Sequence, residues 1–283
     1  MTATSPVIKA WELGIRLREY RQQAGLTATE TAKNIGVTQG HVSAVEAGRP
    51  KLTADRLAQL CTLYDIGSDE RVELESLRLG ANEKAWWHEY GGIFSAELQK
   101  FFGLEAGAEC VRSYHSELIY GLFQTEEYTR ALIAGGTPHV RLTEVERRVQ
   151  ARMARRNRLA GTDPLQISCL LAESTLRQNI GGRDVMAAQL DHLVMLSSQP
   201  NIQLRVLPFS LGVHPSIGAP YQVLSFESPR LHDIVWQEIL TSTAIVDSRD
   251  DVADYVLTYH MTERLALSED ESITFIQDIR KEV

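Results

Sequence analysis

The chain has 283 residues, 43% hydrophobic and 23% charged, with a formal net charge of −8. This is an ordinary globular mixture, of a length that predicts about two domains. No apolar run approaches the ~20 residues of a membrane span, and the N-terminal "MTATSPVIKAWELG" has no signal-peptide core. Three scattered cysteines (Cys61, Cys110, Cys169) exclude a disulfide framework and supply no metal-ligand spacing, so a cytoplasmic protein with no membrane partner is expected. The acidity is uneven: residues 1–60 hold eight Lys/Arg against five Asp/Glu, and residues 61–283 hold 21 against 32. Attraction to phosphate is local, because charges beyond about 10 Å are screened at ~0.1 M salt. An acidic distal region therefore does not exclude nucleic acid from the N-terminal one.

In chain order, "WELGIRLREYRQQAG" sets Leu13, Leu17, Tyr20 and Ala24 on one helical stripe and stops at Gly25. "LTATETAKNIGV" predicts a helix that Thr27 caps, with Glu30 completing a capping box and Gly36 as the break. Thr38 caps a third helix, "QGHVSAVEA", with Val42 and Val45 inward and Gly48 as its stop. A fourth opens at Thr53, with Leu57, Leu60 and Tyr64 inward. Two helices crossing through a short turn need a small residue at the approach and a glycine in the turn. Ala32 and Gly36 meet those needs, and Val42 fills the crossing. The alternative is a plain helical bundle.

This stretch, above all "RLREYRQQAGLTATETAKNIGVTQGHVSAVEAG", resembles the XRE family of lambda-repressor-like helix-turn-helix regulators over residues 11–66. The resemblance implies a five-helix DNA-binding domain whose third helix enters the major groove. It implies a structural ion pair between Arg21 of the first helix and Glu46 at the end of the third; otherwise these are two solvated charges. It implies base-facing positions at Gln39, Gly40, Ser43 and Ala44. Only Gln39 offers a bidentate contact to adenine, Ser43 reaches a base or a phosphate, and Ala44 at best touches a thymine methyl. Lys33, Thr38, His41, Arg49 and Lys51 are the candidate phosphate contacts, which position without specifying. Base readout is therefore modest, and DNA shape and a homodimer are expected to supplement it.

"DERVELESLRLGANEKAWWHEYGG" predicts a last helix running into a connector in which Trp86 and Trp87 are buried. Residues 93–136 read as helical with a loop near Gly121. "RLTEVERRVQARMARRNRLAG" follows, with seven arginines between Arg141 and Arg158 and an inward stripe of Val145, Val149 and Met153. The run invites a nucleic-acid reading; the favoured expectation is a solvated face paired with nearby acids. Beyond Gly161 the period changes. "LQISCLL", "NIQLRVLPF", "YQVLSF", "DIVWQEI" and "TAIV" predict short strands. One helix, "RDVMAAQLDHLVMLSSQ", falls between the first two and two more close the chain, the last with a capping box of Ser268 and Glu271. The chain thus divides into a helix-turn-helix domain (1–80), a packed helical connector (81–105) and an α+β domain (106–283). The fold class is an all-α five-helix lambda-repressor-like domain followed by a larger α+β domain with a small sheet.

No catalytic or phosphate-binding motif occurs in the second half, so no enzyme, metal or cofactor is expected. Glu173 and Arg177 have ion-pair spacing. His214 sits in the Gly/Pro-rich loop "LPFSLGVHPSIGAPY", where a plain hairpin connection competes with a ligand site. Arg205, between inward Leu204 and Val206, projects from the opposite sheet face. Glu173, Arg205 and His214 are the tentative ligand- or partner-binding groups. "GLEAGAECVRSYHSELIYGLFQTEEYTRALI", "RRVQARMARRNRL", "NIQLRVLPFSLGVHP" and "GAPYQVLSFE" resemble the C-terminal domain of the WhiJ-like regulators, XRE-type proteins of high-GC bacteria. That resemblance implies a regulator of development or secondary metabolism and a small acidic partner protein in an antitoxin-like arrangement. The leading expectation is a sequence-specific regulator, dimeric on double-stranded DNA, that senses a small-molecule effector or partner. The alternatives are an antitoxin-like protein that binds DNA only with its small acidic partner, and an enzyme tethered to DNA.

Overall fold

The computed structural model describes residues 5–49, 51–136, 140–218, 220–239 and 242–283. The chain forms two compact units with the main boundary at His88–Glu89.

The first unit is helical: α1 (Pro6–Gln23), α2 (Ala28–Ile35), α3 (Gln39–Glu46), α4 (Ala54–Leu63) and α5 (Ser68–Ala81). α1 begins earlier than the apolar stripe from Leu13 requires. The Ser5 hydroxyl accepts from the Ile8 N–H, and Pro6 takes the first helical position, where no N–H is needed. Thr27 and Glu30 form the capping box of α2, and Thr38 and Thr53 cap α3 and α4 through the N–H groups of His41 and Arg56. Gly36 closes α2 at φ +68°, a conformation open to a residue without a β-carbon. The core gathers Leu13, Leu17, Val45, Leu57, Leu60 and Leu74. Trp87, edge-on to Trp86, is buried.

The second unit contains α6 (Ala96–Ala106), β1 (Cys110–His115), α7 (Glu126–Gly136), α8 (Val145–Arg155), β2 (Gln166–Ala172), α9 (Glu173–Arg177), α10 (Arg183–Leu196), β3 (Ile202–Leu207), β4 (Tyr221–Ser225), β5 (Ile234–Ile239), β6 (Ser242–Val246), α11 (Arg249–Glu263) and α12 (Glu269–Glu282). The expected small sheet is in fact six-stranded, in the order β3-β2-β1-β4-β5-β6. β1, β2 and β3 run parallel; β1–β4, β4–β5 and β5–β6 are antiparallel. The strand missed from sequence is β1, inside the segment read as helical. It has neighbours on both sides, and polar Arg112, Ser113 and His115 disguise its period of two. Arg112 is accommodated by Asp233 at 2.8 Å and the Ser225 hydroxyl at 2.6 Å, and Ser113 is fully buried.

Both sheet faces are covered, as a sheet with parallel strands requires. On one, Trp236 stacks on Phe101 of α6 (4.5 Å, 19°). On the other, Tyr114, Leu170, Tyr221 and Val235 pack against Val252 and Tyr259 of α11. The edge of β3 is closed at Val206. Its N–H donates to the Ser272 hydroxyl of α12, and its carbonyl accepts from the Leu267 N–H, which removes a free ladder position.

The arginine run is not a solvated face. Val145 and Val149 are buried beside Met153, as the stripe predicts. Arg155, however, is itself buried: it forks onto Glu105 of α6 through two 2.7 Å bonds and lies over the Phe101 and Phe102 rings. Arg158 donates to the carbonyls of Asp163 and Ala108, and Arg152 to the Gln124 side chain. Only toward the N-terminal end do arginine–acid pairs such as Arg148–Glu144 match the expectation. These arginines tie the connections around β1 and β2 to α6 and α8. Breaking a buried pair from one side strands a charge. Glu105→Leu is therefore expected to destabilise the protein by about 3–5 kcal/mol, and Glu105→Leu with Arg155→Met by clearly less. Chemical denaturation of the two variants checks the order.

Candidate nucleic-acid interface

α3 owes its position to α1. A β-carbon on Gly14 would stand 2.5 Å from the Glu46 carbonyl oxygen and 2.8 Å from that of Val45, so only glycine permits this approach. About two turns further along α1, Arg21 closes the contact with all three prongs of its guanidinium. Nε and Nη2 donate to the Glu46 carboxylate at 2.6 and 3.0 Å, and Nη1 donates to the Leu26 carbonyl at 2.7 Å. Both side chains are about nine-tenths buried, at 11% and 10% exposure. The bonded carboxylate holds the Arg21 pKa above its ordinary value against the opposing effect of burial. A single side chain thus joins the end of α1, the turn before α2 and the end of α3. Beneath it, Val42, Val45 and Ala32 are buried, and the Tyr64 hydroxyl reaches Thr31 at 3.4 Å.

The outer surface of α3 carries the residues marked in the sequence. Thr38, Gln39, Gly40 and Ser43 are exposed, His41 and Ala44 half-buried. The Thr38 hydroxyl takes the His41 N–H, leaving the N–H groups of Gln39 and Gly40 free of this cap. Within α3 the Gln39 amide nitrogen donates to the Ser43 hydroxyl at 2.8 Å. Lys33, Arg49 and Lys51 are exposed, and Lys51 makes a long 3.4 Å contact with the Asn82 carbonyl. Arg56, unmarked in the sequence, donates to the Ile35 carbonyl at 2.5 Å and so completes the end of α2. Gly14 was also missed; its one sequence signal is a glycine in mid-helix, where alanine is intrinsically better.

In the second unit, Glu173, Arg205 and His214 divide. The "LPFSLGVHPSIGAPY" loop is no hairpin: β3 lies at the sheet edge, β4 lies beside β1, and the loop crosses from one to the other. Glu173 is buried at the end of β2. It accepts from Arg177 at 2.6 Å and from the Phe209 N–H at 2.8 Å, which fixes the start of the loop. His214 is buried edge-on to Tyr114 of β1 (5.4 Å, 73°). Burial lowers its pKa, and its Nδ1 has no hydrogen-bond partner among the described residues. Ser216 bonds Tyr221 at 2.9 Å and Thr262 of α11 at 2.8 Å. Arg205 projects to the α11 face, where its guanidinium donates to the carbonyls of Glu263 and Leu267. It caps the C-terminal end of α11. Loop and arginine thus meet α11 at the adjacent residues Thr262 and Glu263, while the His214 ring lies over β1.

Helices crossing through a glycine turn, with a capped and exposed third helix, define a helix-turn-helix DNA-binding module, here joined to a mixed-sheet domain. A helix-turn-helix domain model matches residues 12–74, which marks the chain as an XRE-like DNA-binding regulator. A second model, described as a domain of unknown function (DUF5753), matches residues 98–278, and the chain belongs to that family. No curated protein matches the chain. Among the described residues no helix is long and apolar enough to cross a membrane.

Removing one partner of the α1–α3 ion pair leaves the other charge without compensation. Arg21→Met is expected to cost about 1.5–3 kcal/mol. Adding Glu46→Leu should recover part of that loss. Thermal unfolding of the single and double variants tests this, and a double variant less stable than Arg21→Met would contradict it.

Proposed function

We propose that the chain is a sequence-specific transcriptional regulator that binds double-stranded DNA as a homodimer in the cytoplasm, with α3 in the major groove and no catalytic role. The observation that carries this reading is the fixed presentation of α3. Gly14 and the Arg21–Glu46 fork hold its buried side, and its opposite side exposes Gln39, Gly40 and Ser43. A rigid scaffold with a polar exposed edge is what base recognition requires. Gln39 reads adenine on exchanging its bond with Ser43 for a base edge. Lys33, Arg49, Lys51, Thr38 and His41 hold phosphates, and Ala44 faces a thymine methyl.

Selection from a random DNA pool, followed by footprinting, is expected to return two half-sites about 34–36 Å apart or a multiple of that. On the selected site, Lys33→Ala, Arg49→Ala and Lys51→Ala should each weaken binding on every sequence and flatten the salt dependence by roughly one unit of slope. Gln39→Ala should instead relax preference at one base pair, by about 1–3 kcal/mol. A lysine or arginine variant that changes base preference would reverse that assignment.

The second unit is read as the sensor, in a regulator of the WhiJ-like type that answers a small acidic partner protein or a small-molecule effector. The loop over the carboxyl ends of β1, β2 and β3 supports this, because ligands of open sheets with parallel strands bind at that end. Glu173 at the loop's start and the unpartnered His214 nitrogen are the polar groups there, with Arg205 as a positioning residue. His214→Ala is expected to keep bare DNA affinity and abolish the response to the small acidic partner protein; electrophoretic mobility with and without that partner measures both. One observation favours a second reading, binding only with the partner. Gly40 and Ala44 bring no side-chain donors, and Gln39 is engaged with Ser43. Purified chain that selects no sequence alone and selects one with its partner would establish that reading.

A further inference from the structure

We propose that α11 is a self-association surface, on which a second copy of this chain packs its own α11 antiparallel about a two-fold axis at Leu257. This rests on the dimeric reading above for its purpose, and on α11 alone for its argument. α11 lies on the sheet with Val252 and Tyr259 inward. Its outward stripe, at helical spacing, is Asp250, Ala253, Asp254, Leu257, His260, Met261 and Arg264, every one of them exposed. Leu257 is 59% exposed and Met261 48%, and Leu265 at 46% continues the apolar part. Ser216, bonded to Thr262, brings the 60% exposed Ile217 and the loop's Val213, 83% exposed, to the same end of the helix.

The stripe is complementary to itself in one orientation. A two-fold axis through Leu257 sets residues equally far on either side opposite one another. Asp250 then meets Arg264 of the second copy, and Asp254 meets His260. Small Ala253 receives large Met261, and Leu257 meets Leu257. The Asp250–Arg264 ion pair and the Asp254–His260 contact each occur twice and bracket the apolar centre, which is the isologous arrangement of a two-fold dimer. A parallel alignment would place aspartate on aspartate. The acidic first turns, with Asp250, Asp251 and Asp254, also make this a poor phosphate surface. Five large apolar side chains at roughly 100 Å² each leave about 500 Å², at the top of what one patch on a monomer ordinarily exposes. That is over half of the ~800 Å² per partner of a standard interface.

Sedimentation equilibrium of the full chain without DNA should give a dimer. A residue on a two-fold axis meets its own copy, so Leu257→Cys should form disulfide-linked dimers under mild oxidation. Ala253→Cys and Met261→Cys should each stay uncross-linked alone and cross-link when mixed. Arg264→Asp should weaken dimerisation about tenfold or more, and adding Asp250→Arg should restore it, which also shows that the single variant is folded. A chain that is monomeric at micromolar concentration overturns the proposal. So does a dimer indifferent to Arg264→Asp, or one dissolved by Val72→Ser with Leu79→Ser on the exposed side of α5. Binding to a single half-site, measured alongside, reports on the regulator reading separately: its loss with the dimer intact would overturn that reading and leave α11 as the interface.

Discussion

The contact on which DNA reading depends is the approach of α1 to α3, closed by one arginine. A helix of eight residues has little stability of its own, since most of its backbone groups belong to its two ends. α3 is such a helix, and it must nonetheless present side chains with fixed aim. Gly14 lets the α1 backbone press against the end of α3, and Arg21 fastens it there while holding the Leu26 carbonyl of the intervening turn. The buried Val42 and Val45 set which side of α3 faces in, and therefore which faces out. Apart from Thr38, whose hydroxyl caps the helix, the exposed edge is free to be polar because its side chains do not hold α3 against α1.

The second unit solves a different problem. Helices carry the two crossovers between the parallel strands β1, β2 and β3, but the return from β3 at the edge to antiparallel β4 beside β1 has no α-helix among its described residues. The loop is instead pinned at three points: Glu173 takes the Phe209 N–H, His214 lies on Tyr114, and Ser216 is shared between Tyr221 and Thr262. The first pin comes from α9, the second from the sheet and the third from the sheet and α11 together, so the loop's path reports on the packing of all three. That is the physical basis for reading this end of the domain as the place where a partner or effector acts.

The basic residues serve opposite ends in the two units. In the first unit Lys33, Arg49 and Lys51 are exposed and lie near α3, a distribution suited to phosphate. In the second unit Arg155, Arg158 and Arg205 are spent on a buried glutamate and on backbone carbonyls. Planar guanidinium groups satisfy several acceptors at once, which suits them to loops that would otherwise bury unpaired carbonyls. A net charge of −8 is therefore compatible with a DNA-binding module, because the cations that matter are sorted by position.

The first unit was legible in the sequence because its determinants are local. The capping box at Thr27–Glu30, the caps at Thr38 and Thr53 and the turn at Gly36 each act within four residues, as does the Ser268–Glu271 box of the second unit. The inward Leu57, Leu60 and Val42 follow from the 3.6-residue period. The spacing also determined that Arg205 leaves the side of the sheet that Leu204 and Val206 occupy. Only the tertiary structure decided what waited on the other side, namely the carbonyls at the end of α11. It alone decided that "CVRSYH" is a strand, since the partners that accept Arg112 lie more than a hundred residues away. It alone turned an arginine run into buried ties, because Glu105 and Arg155 are fifty residues apart. Patterns of period and cap are written within one turn of chain, whereas the worth of a polar side chain depends on what the fold brings to it.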